Sequence, residues 1–420
     1  MHLYSALRYL LIGFTILILG GLMGWYIYLR AQHSSQAAIS TGRGLGDSAP
    51  SFTGGMGSNY QNSLSGLARG DASNTPTSSP GLHDVQHVSQ SEVAGFGFVS
   101  TGTSTTALYF VERATGYVFL VDLRTGISSR IAGTLTPKVY EAYVASDGSV
   151  IERYPSEKGG VETVAIAPPA APGAVARRIN LPQDINPFAI SADGIIVYGT
   201  RSAGATTLWS TNWSVTKTRS IFQSSIASWR AFALTDGRII LAEKAADGVL
   251  GHSYTLSAKG TLSPLTPALS GLSVLAQSSS TAILYTSISG GKAQVFVRSG
   301  THANTLAVPL ATVADKCAWT AAVPAAKKGA TTTPSIVYCA VPDAITTDHF
   351  LDAWYRGEIH TTDALWAIDS SVGTAVKTAV EWPRGITPPD VIDPSVDPSG
   401  TYISFKDARD QSLWLVRLKK

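Results

Sequence analysis

The sequence predicts an all-β fold, a seven-bladed β-propeller preceded by one N-terminal transmembrane helix and a linker. Three observations lead there. From about His83 onward, short alternating strands are separated by Gly-containing turns. One turn recurs ahead of every second strand, at Ser104, Asp147-Gly148, Asp193-Gly194, Asp236-Gly237, Ser280, Thr333 and Ser399-Gly400. The successive steps are 43, 46, 43, 44, 53 and 66 residues, and four steps near 44 match the period of four-stranded blades. Third, the last repeat ends without an outermost strand, and a strand-like stretch near the start lacks a blade of its own. Seven is the count; six or eight stays open, because the second and sixth repeats are degenerate.

At the N-terminus, Tyr9–Leu29 is an uncharged, mostly apolar run of 21 residues bounded by Arg8 and Arg30. At 1.5 Å per residue such a helix covers roughly 30 Å, the hydrocarbon thickness of a bilayer. Trp25, Tyr26 and Tyr28 stand where interfacial aromatics gather. The run is too long for a signal-peptide core, so residues 1–30 are expected to be a retained, single-pass anchor. Flanking charge is nearly balanced and does not set orientation. Gly20 and Gly24 have the spacing that lets two helices approach closely, which would make a dimer. Gly13-Phe14-Thr15 ahead of an apolar helix resembles the processing site of type IV pilins, although Ile18 stands where an acidic residue is expected.

Residues 31–82 are rich in Ser, Gly, Thr and Asn, with no apolar periodicity. Such a stretch cannot bury enough surface to offset its ordering entropy, and a flexible linker is expected. Residues 83–420 are then the propeller, and 44% hydrophobic content is ample for its core. A net charge of +3 and only 15% charged residues give no field for nucleic acid.

Within the repeats, third strands are expected at Tyr117–Leu123, Thr207–Ser210, Gln294–Arg298, Ala364–Asp369 and Ser412–Arg417. The alternating stretch Asp84–Val88 is predicted to pair with Leu413–Leu418 and complete the last blade. An open edge there would template association. His83 and His87 share a face of that strand but lie too far apart for one ion. Asp147, Asp193 and Asp236 serve their turns.

The last stretch, Asp397–Leu418, runs Asp-Pro-Ser-Gly, an alternating strand, a polar loop and then Leu413-Trp414-Leu415-Val416. It resembles the repeat of TolB-like (WD40-like) β-propellers. That resemblance implies a scaffold that binds a protein or peptide, and it carries over no catalytic residue.

The only cysteines are Cys317 and Cys339. On the first two strands of one blade, about a turn at Lys327-Lys328-Gly329, they would face each other directly. A disulfide is expected, with two buried free thiols as the alternative. An oxidised pair places the domain outside the cytoplasm. The link that follows, Val341–Asp363, is 23 residues long and holds the densest set of functional groups. Among them His349, Asp352, Trp354, Tyr355, Arg356, Glu358 and His360 are the candidate partner-binding residues. The competing reading makes Trp354 and Tyr355 a plug in the side of the blade, with solvated charges around it.

No nucleophile elbow, phosphate loop or His-Glu-x-x-His is present. No catalytic residue, metal or cofactor is therefore expected. The reading is a membrane-tethered, extracytoplasmic scaffold for a protein or envelope polymer. Alternatives are an envelope hydrolase or lyase using His349, His360 and nearby carboxylates, and an accessory subunit of a pilus or secretion complex.

Overall fold

Residues that alternate in polarity do fold as strands, and apart from a two-stranded ribbon pairing Leu250–Gly251 with Leu269–Ser270 the strands assemble in sets of four. In the computed structural model, residues 84–418 are described except 101–105, 133–134, 168–175, 192, 227, 299–303, 322–334 and 346. The expected membrane span, Gly20, Gly24, the linker, His83 and the Lys327–Gly329 turn lie outside the described residues. Among the described residues no helix is long and apolar enough to cross a membrane.

Seven four-stranded antiparallel sheets follow one another along the chain. In order they occupy residues 93–132, 141–180, 188–224, 229–264, 273–308, 317–377 and 391–417. The last sheet has three strands from its own repeat, and β1 (Val85–Ser89) is its fourth. β1 runs antiparallel to Leu413–Arg417, with Val85 opposite Val416 and His87 opposite Trp414. The His87 ring also stacks on the Trp414 indole at 4.4 Å. The predicted closure is therefore present, and the count is seven.

Each junction between neighbouring blades is filled by its own apolar cluster. Val111, Val118 and Val150 lie between blades one and two; Leu208, Trp229 and Leu241 lie between three and four. Phe98 and Leu108 of blade one meet Leu413 and Leu415 of blade seven, so packing runs unbroken round the ring. Close approach of innermost strands needs small residues: a Cβ on Gly95 would stand 1.8 Å from the Ala142 carbonyl oxygen. In blades two, three and four the Asp-Gly turns close the hairpins as expected; in blade two the Ser149 N–H donates to Asp147 Oδ1 at 2.9 Å and Gly148 stands at φ +83°.

Strand direction then fixes two faces. Turns between first and second strands emerge on one, here the turn face. Links between second and third strands, and the crossovers between blades, emerge on the other, the crossover face. β1 runs from the turn face to the crossover face, so the chain preceding it joins the ring on the turn face.

Blade six carries the irregularity. Cys317 pairs with Cys339 across its first two strands, and the two form a disulfide with a Cα separation of 4.0 Å. The long link holds one short helix, α1 (Phe350–Tyr355). Its apolar side (Phe350, Leu351, Trp354) packs over Ala245, Ile288, Val313, Ile392 and Ala408, capping the crossover face.

Candidate functional site: the mouth of the central cavity

A cavity of about 1350 Å³ runs through the centre of the ring. Its turn-face end is lined by Asp147, Ser191 and Asp193, and its crossover-face end by Glu92, Glu141, Asp315, Tyr355, His360 and Arg409. The innermost strands begin at the crossover face, so the residues that start them ring the mouth.

The sequence-predicted residues divide into three groups. Trp354 is 1% exposed, and its Nε1 donates to Asp390 Oδ1 at 2.9 Å. It belongs to the cavity lining but is almost wholly enclosed, and so presents no platform to a partner. Tyr355 and His360 line the cavity. Tyr355 Oη donates to Asp315 Oδ2 at 2.8 Å, and Asp315 is ion-paired with Arg230. His360 Nδ1 lies 3.0 Å from Asp390 Oδ2. On the outer surface, Arg356 and Glu358 form an exposed bidentate pair at 2.7 and 3.0 Å. His349 is exposed at the start of α1. The Asp352 backbone N–H donates to Asp247 Oδ2 at 2.8 Å, tying α1 to the blade-four link.

Sequence reasoning missed the group beneath them. Lys316 is wholly buried, a position a lysine takes only when its charge is answered. Its Nζ donates to Asp363 Oδ2 at 2.6 Å, Asp390 Oδ1 at 2.7 Å and Thr361 Oγ1 at 3.0 Å, and sits 4.8 Å from the centre of the Trp354 ring. Asp363 Oδ2 also accepts the Val391 N–H at 2.8 Å. Burial nonetheless pushes the Asp363 carboxyl above its usual range, against the pull of Lys316. Asp407, which accepts the Asp390 N–H at 3.2 Å, is pushed up by burial as well. This network joins blades six and seven and fixes one side of the mouth. Lys316 stands beside Cys317, and Asp390 follows two prolines; neither position has a periodicity that marks it.

Opposite, Arg153 pairs with Glu141 at 2.5 Å and donates to the Ile185 carbonyl at 3.0 Å. Tyr143 Oη donates to Glu141 Oε1 at 2.6 Å, and burial holds that phenol well above its usual range. Burial also pushes Tyr140 up to about 12. Among the described residues, no group of three or more His, Cys, Asp or Glu is placed to hold a metal ion.

No protein-family model matches the chain, and no curated protein does. Solved structures resemble it at low identity. An oligogalacturonate lyase in complex with manganese aligns at TM-score 0.45 and 11% identity, over 78% of this chain and 97% of that one. The virginiamycin B lyase of Staphylococcus aureus aligns at TM-score 0.47 and 13% identity, over 80% and 99%. TolB of Acinetobacter baumannii aligns at TM-score 0.39 and 11% identity, over 67% and 62%. Such values transfer no activity, and the architecture rests on the strands described above. What fold and site define is a class: a seven-bladed β-propeller, closed by its own N-terminal strand, with a capped cavity mouth.

Proposed function

We propose that this chain is a membrane-tethered, extracytoplasmic scaffold that binds a protein or an envelope polymer at the crossover face. One observation supports this most: the end of the cavity on the face that carries α1 is walled by fixed, mutually paired groups. Preorganised polar walls around half-buried aromatic rings are the features of a recognition site. The anchor at Tyr9–Leu29 and the disulfide fit a position outside the cytoplasm. Because the chain joins the ring on the turn face, a tether there leaves the mouth facing away from the bilayer.

A photo-crosslinking residue placed at Arg356, on the crossover face, tests this in native membranes. A crosslinked partner is expected from that position and none from Ile127, an exposed residue of a turn-face loop. Crosslinking from Ile127 alone would reverse the assignment of the face.

A second reading, an envelope hydrolase or lyase, draws on the contact between His360 and the buried Asp390. A carboxylate orients an imidazole for proton transfer in this way. Conversion of a glycan or peptide panel, lost in His360→Ala, would establish it.

A further inference from the structure

The walls of the cavity indicate what chemistry it accepts. Five cationic side chains of the wall pair with carboxylates: Arg153 with Glu141, Arg230 with Asp315, Lys406 with Asp393, Arg409 with Asp407 and Arg113 with Glu92. These five cations are thus answered within the protein, and a polyanion would have to compete with their carboxylates. The lining also holds Asp147, Asp184, Asp193 and Asp410, which accept backbone or hydroxyl hydrogen bonds.

The polar atoms left without a hydrogen-bond partner point the same way. Among the described residues, Arg153 Nε, Trp213 Nε1 and Trp229 Nε1 are buried donors with no acceptor. All three belong to residues that line the cavity. Trp229 is only 2% exposed, so its N–H has been taken out of water. Outside the lining, the buried atoms in that condition are Gln86 Oε1, Asp247 Oδ1 and the hydroxyls of Thr163 and Thr206. A ligand offering acceptors would supply the hydrogen bond that such a donor lacks.

The lining also carries half-buried rings, Tyr140, Tyr143, Phe188, Phe232 and Tyr355. Their flat apolar faces suit the C–H faces of saturated rings. The volume exceeds the roughly 300–1,000 Å³ of a site for one small molecule, so it holds several linked units.

We propose that the cavity binds an uncharged oligosaccharide segment of a glycan polymer. Ring and bridging oxygens are acceptors only, which suits the orphaned N–H groups. Hydroxyl groups can also donate to the spare lone pairs of Glu141 and Asp315. A peptide brings a donor with nearly every acceptor and matches the wall less well. This inference rests on the crossover-face reading above and specifies its ligand.

Titration calorimetry on the full chain in detergent tests it. The probes are cellohexaose, xylohexaose and N-acetylchitohexaose, set against hexagalacturonate and an uncharged decapeptide. At least one neutral hexasaccharide is expected to bind with Kd of about 1 mM or tighter. Trp229→Phe, which deletes one donor, should weaken that binding roughly 5–10-fold. Phe188→Leu, which deletes a ring, should weaken it too, while Arg124→Ala, in an exposed turn-face loop away from the cavity lining, leaves it unchanged. Thermal melts of each variant establish that it is folded. No binding by any neutral hexasaccharide, preference for hexagalacturonate or the decapeptide, or unchanged affinity in both wall variants would overturn the proposal. A crosslink from position 356 alongside peptide preference would remove the ligand class and leave the face standing.

Discussion

Lys316 shows how much of the mouth depends on one side chain. Its ammonium is held by Asp363, Asp390 and Thr361 and roofed by Trp354, with no water-facing surface. Lys316→Met removes the cation and strands two buried carboxylates, a change that costs about 3–5 kcal/mol. Urea denaturation should show that loss. Trp354→Ala should cost a comparable ~3–5 kcal/mol, because a fully enclosed indole is removed. Arg356→Ala, breaking a solvent-exposed pair, should leave the urea midpoint essentially where it is in the parent. Burial also governs a pH dependence at Glu152, a carboxylate 1% exposed whose pKa is raised by desolvation, partly offset by Thr136 and Arg178. A raised folded-state pKa means that the folded protein holds this proton more tightly than the unfolded chain. Glu152 therefore adds stability at low pH that fades as pH climbs through and above the usual carboxylate range. The denaturation midpoint of Glu152→Gln should vary less between pH 4.5 and 7 than that of the parent. Of the residues that matter here, the sequence exposed those in the dense 341–363 link. It hid Lys316 and Asp390, because only the packing of blade six against blade seven brings them together.

Blade six is the element where sequence and structure meet most closely. Antiparallel pairing holds the sum of facing positions constant, so two cysteines and one turn were enough to place Cys317 opposite Cys339. The disulfide closes a separation of 22 residues. In the chain-entropy account that constraint is worth about 3 kcal/mol. The Cys317→Ala, Cys339→Ala double variant should lose about 2–4 kcal/mol by urea denaturation and become indifferent to reductant. Inner and middle strands were legible for a related reason: packing between blades on both faces demands dense apolar residues. Outermost strands were harder to read. Ser128–Ala132 and Leu262–Pro264 are mostly exposed, so nothing enforces alternation there. The six-residue α1 was also unread, since a single turn and a half sets no helical period.

At the scale of the whole molecule, everything depends on closure by β1. Four-stranded sheets packed in sequence leave two raw ends, and this ring joins them by giving blade seven a strand from the start of the chain. That strand seals the open edge of Leu413–Arg417, covers Trp414 with His87 and buries Val85 in the blade-seven cluster. Removing residues 1–82 should leave the melting temperature within about 2 °C, because the ring is complete from residue 84 onward. Removing residues 1–89 should act differently. Loss of these contacts is worth about 4 kcal/mol or more by the apolar area and ladder bonds involved, and should lower the melting temperature by on the order of 10 °C. The uncovered edge should also drive self-association, visible as high-mass species in size-exclusion chromatography. If the shorter chain melts like the longer one and stays monomeric, the two ends of the ring are held by side-chain packing alone. The position of the tether on the turn face would then have no structural basis, since that assignment follows from the direction of β1.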